Sequence, residues 1–262
     1  MTRIALGLAY RGQDYLGWQS QPGGRTVQDR LEAALSRFAD EPIRTVCAGR
    51  TDSGVHALNQ VVHFDTVRER ELFSWVRGVN RYLPADIAVQ WSAMPGDSFH
   101  ARNLARRRRY AYLLLESPVR PSVEFGASGW VFRPLDLSAM QAAAALLVGE
   151  HDFSAFRAAE CQALSPVKTL YSVHIGRRGA YWRFEFEASA FLHHMVRNLM
   201  GVLLAVGQGG RSPAWAGEVL ASRSREAAAP TFAPDGLYFL GPRYDEALAL
   251  PTHTPAMDWL PA

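Results

Sequence analysis

The sequence predicts an α+β fold built from two ferredoxin-like halves with mainly antiparallel sheets. Three observations carry that expectation. Residues 2–94 read as β-α-β-β-α-β from their hydrophobic periods. Residues 106–240 repeat the theme with additions. The long parallel βαβ spacing of a doubly wound sheet is absent, and no GxGxxG follows a strand.

Residues 2–10 alternate as a strand, and 11–24 form a loop rich in glycine and aromatics. Thr26 is placed to cap a helix, with Asp29 three residues on, and Val27, Leu31, Ala34, Leu35 and Phe38 fall on one helical face. Residues 42–47 and 58–64 read as strands joined by a polar link. A second helix is expected over 69–83, with Leu72, Val76, Val79 and Leu83 in register, then a strand over 86–94. The joint between halves falls at 97–105, giving domains 1–103 and 104–262. In the second half, 106–116 and 129–132 read as strands and 138–148 as an alanine-rich helix. Residues 167–175 and 181–188 suggest a hairpin over 176–179, its second arm alternating Trp182, Phe184 and Phe186 with charged residues. An apolar helix over 191–206, a short helix from Pro213 to Ala221 and a strand over 236–240 complete the reading. The tail 244–262 carries no signal.

With 48% hydrophobic and 20% charged residues, the 262-residue chain can bury a core and is not disordered. The apolar run at 199–206 is too short to span a bilayer, and the N-terminal strand lacks a signal-cleavage pattern. A cytoplasmic protein without membrane association is the expectation. Cys47 and Cys161 are the two cysteines, with no CxxC or His/Cys cluster to suggest a structural metal. Lys168 is the sole lysine among 28 basic residues. Arginine suits phosphate and stacks on bases, though genomic base composition gives the same preference.

Three stretches carry candidate chemistry. The link 47–57 (CAGRTDSGVHA) crowds Arg50, Thr51, Asp52, Ser53 and His56 between two glycines. Such a segment suits a polar hairpin turn, or a shaped loop that fixes a reactive carboxylate, Asp52, beside a guanidinium. Asp52-Ser53-Gly54 also matches the aspartic-protease tripeptide, but a proton-sharing dyad is hard to maintain beside Arg50. The second stretch is Arg102, Arg106, Arg107, Arg108 and Arg109, followed by Tyr110 and Tyr112. Arginines interleaved with aromatics suit an RNA groove, and they equally suit a solvated strand at a sheet edge. The third is His193, His194, Arg197 and Asn198 on the apolar helix. Adjacent histidines on a helix lie about 100° apart and do not chelate one metal. A polar patch there needs partners, or a wet face. No P-loop, nucleophile elbow or HExxH is present. What remains is cofactor-free chemistry with one carboxylate on RNA, or a non-catalytic RNA-binding protein with tandem ferredoxin-like folds.

Taken together, YRGQDYLGWQSQ (10–21), CAGRTDSGVHA (47–57), QVVHF (60–64), SFHAR (98–102), Arg109 to Tyr112, GEHDFSAF (149–156), FLHHMVRNLMG (191–201) and APDGLY (233–238) resemble the tRNA pseudouridine synthase A family over nearly the whole chain. Ser53 stands where many members carry a small residue such as alanine.

The resemblance implies a cofactor-free isomerase that converts uridine to pseudouridine at positions 38, 39 and 40 of the tRNA anticodon stem-loop. It implies RRM-like halves whose sheets merge around a central active-site cleft, and a homodimer that requires no metal. It implies that Asp52 is the essential carboxylate and Arg50 its companion. It further implies that Tyr110 packs on the target base, that Arg197 pairs with the carboxylate, and that Leu237 lines the uracil pocket. Two arginines around one carboxylate overcharge the free enzyme, so one of them is expected to turn toward RNA. Arg102 and Arg106 to Arg109 are the candidates for further RNA contacts.

Overall fold

A computed structural model describes residues 1–251; of the tail read as 244–262, residues 252–262 lie outside the described residues. The fold is mixed α/β, with mostly antiparallel strands and, among the described residues, five α-helices. It divides into two compact units, Met1–Arg108 together with 238–251, and Arg109–Leu237.

The first unit runs β1 (Thr2–Tyr10), α1 (Val27–Ala39), β2 (Val46–Cys47), β3 (His56–Thr66), α2 (Leu72–Asn80) and β4 (Ile87–Ala93). This is the β-α-β-β-α-β order read from the hydrophobic periods. β1 lies between β4 and β3 and pairs antiparallel with both. The other edge of β3 is shared. Near its end Val62 and His63 pair with Cys47 and Val46 of β2, while at its start His56 and Ala57 pair in parallel with Tyr238 and Phe239. Residues 48–55 run from the end of β2 to the start of β3.

Thr26 caps α1 and accepts the Asp29 N–H, as its sequence implied. Val27, Leu31, Ala34 and Leu35 are buried. α2 is shorter than its periodicity suggested, and Trp75 is its largest buried side chain. The Trp75 ring packs edge-on against Phe38 at 5.3 Å and Phe64 at 5.2 Å, tying both helices to β3.

Residues 42–45 depart from the expected strand. The buried Glu32 carboxylate accepts from Thr45 N–H at 2.8 Å, Thr45 Oγ1 at 3.0 Å and Arg44 at 2.8 Å. Ile43 N–H goes to Ser36 Oγ. Donors spent on helix side chains cannot serve a ladder.

His63 of β3 is 5% exposed, and its Nδ1 accepts the Ala101 N–H at 3.1 Å, clasping the segment after β4. Burial, then the nearby charges of Arg3 and His100, bring its pKa from 6.5 down to about 4. The unfolded chain therefore binds the extra proton first. Stability from a neutral His63 is complete above pH 6.5 and is lost as pH falls toward 4. Denaturant unfolding is expected to show a loss of about 2 kcal/mol across that window. His63→Gln is expected to flatten that part of the profile, and equal pH slopes in both proteins would remove His63 as its source.

The second unit contains most of β5 (Arg107–Glu116), then β6 (Gly129–Val131), α3 (Leu137–Ala145), β7 (Gly149–Asp152), β8 (Val167–Arg178), β9 (Tyr181–Ala188), α4 (Met195–Gly207) and α5 (Ala214–Ser222). β10 (Leu237–Arg243) starts at its boundary. The strand order is β5-β9-β8-β7, with β6 parallel to β5. Trp182, Phe184 and Phe186 are buried as their alternation required. The hairpin loop is only Gly179-Ala180, because β8 continues through the Gly-Arg-Arg expected to turn.

Helix α4 begins at Met195, four residues later than its apolar pattern implied. His194 takes a left-handed φ of 62°, and His193 precedes it. The two histidines therefore do not lie a helical step apart. Their rings approach to 4.0 Å between centroids. Of the two readings of the polar patch, partners or a wet face, the fully buried Asn198 follows the first. Its amide donates to Phe156 O at 2.7 Å and accepts from Thr231 Oγ1 at 2.7 Å.

Candidate active site

In the first unit, the loop that carries Asp52 is fixed at almost every peptide. Ala48 N–H donates to Val61 O at 2.8 Å, and Gln60 Nε2 donates to Gly49 O at 2.5 Å. Trp18 N–H donates to Thr51 O at 3.0 Å, and the Thr51 hydroxyl meets the Tyr10 hydroxyl at 2.8 Å. Val55 N–H closes a turn onto Asp52 O at 3.2 Å. Ser53 Oγ and Gly54 N–H both donate to Tyr15 O. His56 Nδ1 accepts the Gly12 N–H at 3.1 Å, and the His56 ring stacks on Tyr238 at 4.6 Å. Burial pushes the Tyr238 hydroxyl up to about 12, so it stays a neutral phenol. Of the two bracketing glycines, Gly54 takes a left-handed φ of 82°.

The glycine- and aromatic-rich segment 11–24 is therefore the outer wall of this loop. Trp18 is buried, and Gly17 lies against the Thr51 and Asp52 peptides at distances that leave no room for a side chain. Arg50 is exposed, whereas Asp52 is half-buried. A backbone locked from two sides leaves the half-buried Asp52 carboxylate little freedom to move.

The arginine run does not act as one patch. Arg102 is exposed and reaches Cys47 Sγ at 3.9 Å. Burial raises the Cys47 pKa and the Arg102 charge opposes it, which leaves a neutral, buried thiol. Arg106 pairs with Asp245 at 2.8 Å on the surface. Arg107 is exposed. Arg108 turns back: its guanidinium donates to Arg102 O at 2.7 Å, Ala105 O at 2.8 Å and Ala48 O at 3.3 Å. It thus braces the backbone just ahead of the Asp52 loop.

The second unit holds the remaining candidates. Arg109 is half-buried. Tyr110 on β5 is 8% exposed, and its ring meets Phe191 edge-on at 5.1 Å. Tyr112, two residues on and on the same strand face, donates to Ala233 O at 3.0 Å. Leu237 is buried and its N–H donates to Pro234 O. Leu113 N–H donates to Gly236 O at 2.8 Å, which sets the segment before Leu237 against the Tyr110 strand. Arg197 Nε donates to Phe232 O at 2.8 Å, while Phe232 N–H donates to Arg197 O. Arg197 therefore helps strap the strand approach 229–236 to α4, together with Asn198 and Thr231.

Asp52, Arg50, Arg102, Arg106, Arg107 and Arg108 thus belong to the first unit, and Arg109, Tyr110, Arg197 and Leu237 to the second. Tyr10, Trp18, Gln60 and Phe232 were not singled out by residue type.

The sequence pattern of the tRNA pseudouridine synthase family matches residues 8–102 and 143–245. The interval between them contains the arginines of β5 and Tyr110. The tRNA pseudouridine synthase A of Methylibium petroleiphilum is 74% identical over 259 residues, covering 99% of this chain and 100% of that protein. The tRNA pseudouridine synthase A of Polaromonas naphthalenivorans is 65% identical over 263 residues, with the same coverage. Among the described residues, no helix is long and apolar enough to cross a membrane. The matched pattern takes in the whole Asp52 loop, its outer wall, α4 and the approach to β10, and from this agreement it follows that the chain belongs to the tRNA pseudouridine synthase family.

Proposed function

We propose that this protein isomerises uridine to pseudouridine in tRNA, at positions 38, 39 and 40 of the anticodon stem-loop, with Asp52 as its essential carboxylate. Near-full-length identity to proteins named tRNA pseudouridine synthase A supports the reaction. The observation that carries the assignment of Asp52 is its place on a loop whose flanking peptides are all tied down.

The reaction breaks the bond from uracil N1 to ribose C1′ and forms one from C5 to C1′. The C5 proton is lost and N1 gains one. No electrons are exchanged with a second molecule, so the chemistry needs no cofactor. The Asp52 carboxylate serves as nucleophile or base, attacking or deprotonating the ribose or adding to the base. Tyr110 and Leu237 offer the detached uracil an aromatic face and an apolar wall, against which it turns without a fixed hydrogen bond. Water has to be kept out, because glycosidic cleavage would otherwise end in an abasic site.

The ferredoxin-like character of both halves, and a cleft between them that gathers these groups, belong to the same reading. The β4-β1-β3-β2 order of the first unit supports it. Arg197 is taken as the partner of the carboxylate. Arg50, exposed beside Asp52, is taken as the arginine that grips RNA, offsetting part of the few kcal/mol needed to extrude a base. Arg102, Arg106, Arg107 and Arg109 add phosphate contacts, and Arg108 is the member of the run whose donors are directed to protein carbonyls. The protein acts in the cytoplasm as a homodimer without a metal, one tRNA touching both copies.

Mapping of pseudouridine in unmodified tRNA after incubation with the purified protein tests this. The expected result is new pseudouridine at positions 38 to 40 with no added metal or cofactor. Unchanged uridines throughout would overturn the proposal.

A further inference from the structure

Behind the Asp52 loop lie three buried polar side chains that the proposed chemistry leaves unused. Tyr10 ends β1 opposite Ala57 and is 4% exposed. Gln60 sits inside β3 at 0%, and Thr51 immediately precedes Asp52 at 6%. The Gln60 amide donates to Gly49 O at 2.5 Å and is also a hydrogen-bonding neighbour of the Tyr10 hydroxyl. That hydroxyl meets Thr51 Oγ1 at 2.8 Å. Burial raises the Tyr10 pKa well above that of an ordinary phenol, so the hydroxyl remains a donor at working pH.

We infer that Tyr10, Gln60 and Thr51 are positioning residues that set the Asp52 carboxylate through the Gly49 carbonyl and the Thr51 side chain. The inference rests on the reading of Asp52 given above. Its argument is geometric. The chain of contacts starts on two adjacent, paired strands and ends on the residues three and one before Asp52. Arg50, between those residues, is left exposed, so the clamp fixes the backbone while the guanidinium stays available to solvent. An apolar residue at 10 or 60 would fill a strand core without the cost of burying polar groups. Gln60 Oε1 is moreover buried and receives no hydrogen bond from the described residues. An amide satisfied mainly on its donor side is a poor device for stability and a good one for direction.

The test compares Tyr10→Phe, Thr51→Val, Thr51→Ser and the Tyr10→Phe/Thr51→Val pair, with Asp52→Asn alongside. The readouts are kcat and KM on unmodified tRNA and the thermal midpoint. Tyr10→Phe and Thr51→Val are each expected to lower kcat about 10- to 100-fold, by analogy with a small misplacement of a reacting group. KM is expected to stay within about two-fold, and the midpoint within a few degrees. Thr51→Ser, which keeps the hydroxyl, should retain most of the activity. The double variant should be no slower than the slower single variant, because both remove one contact. Wild-type kcat in Tyr10→Phe and Thr51→Val would overturn the inference, as would a fall in kcat that tracks the midpoint or full additivity in the double variant. If Asp52→Asn is inactive while the others are normal, only the positioning role fails. If Asp52→Asn is active, the reading of Asp52 fails and the inference falls with it.

Discussion

Asp52→Asn is expected to lower pseudouridine formation by at least about 10⁴-fold, the scale seen when a group that reacts directly is removed. Asparagine has the same shape, and the backbone of the loop carries its own bonds. Thr51 O still accepts from Trp18, Asp52 O from Val55, and Gly49 O from Gln60. The loop should therefore keep its conformation and the thermal midpoint should hold. tRNA affinity should change by less than about three-fold, because the phosphate contacts proposed above lie elsewhere and the loss of one anion reduces repulsion of RNA. Single-turnover assays with tRNA in excess of its dissociation constant, together with a direct binding measurement, separate the two effects. Asp52→Ala controls for slow deamidation back to aspartate. Turnover within ten-fold of wild type in Asp52→Ala would remove Asp52 from the chemistry.

The elements legible in the sequence were those whose burial is one-sided and local. Trp182, Phe184 and Phe186 announce a strand because each alternate residue must leave water, and Val27, Leu31 and Leu35 announce α1 for the same reason at the helical period. The parts that were not legible depend on partners distant in sequence. Residues 42–45 alternate well enough for a strand, yet their donors are captured by Glu32 and Ser36, which no period reveals. The apolar run Phe191-Leu192 suggested a helix, but a left-handed His194 delays α4 to Met195. The parallel contact of Tyr238 and Phe239 with His56 and Ala57 joins residues about 180 positions apart, and pattern alone does not specify it.

The candidate site divides along the same line. Asp52 stood out because carboxylate, guanidinium, hydroxyls and two glycines are dense within one short link. The residues that hold it did not, since Tyr10 merely ends an apolar strand, Gln60 is one of several polar residues in β3, and Trp18 resembles any loop aromatic. Arg108 is the instructive case. Sequence groups it with four other arginines as an RNA contact, whereas its donors reach three backbone carbonyls of its own unit. Charge is read from sequence, but its direction is set by which carbonyls the fold leaves open.

Gly17→Ala is expected to cost about 10- to 100-fold in kcat and about 1–3 kcal/mol in stability. Two effects add at this position. Its φ of +84° lies in the left-handed region, where a β-carbon costs about 1 kcal/mol or more. The new carbon would also sit 2.7 Å from Thr51 O and 3.1 Å from both Asp52 C and Ser53 N. An ordinary C···O contact is roughly 3.3 Å, so the Thr51–Ser53 backbone has to retreat by about half an ångström. It cannot retreat freely, because Trp18 N–H, next to Gly17, is bonded to Thr51 O itself. The strain therefore passes into the peptide that bears Asp52. Gly24→Ala is the control within the same segment: its φ is +64°, but nothing lies within 4 Å of the added carbon. It should share the backbone cost and leave kcat near wild type. Melting curves and single-turnover rates of the two variants thus separate strain in the outer wall from displacement of the carboxylate. Equal rates in Gly17→Ala and Gly24→Ala would mean that the wall merely covers the loop. A slow Gly17→Ala beside a normal Gly24→Ala would mean that the position of Asp52 depends on the absence of one carbon atom about 35 residues away in sequence.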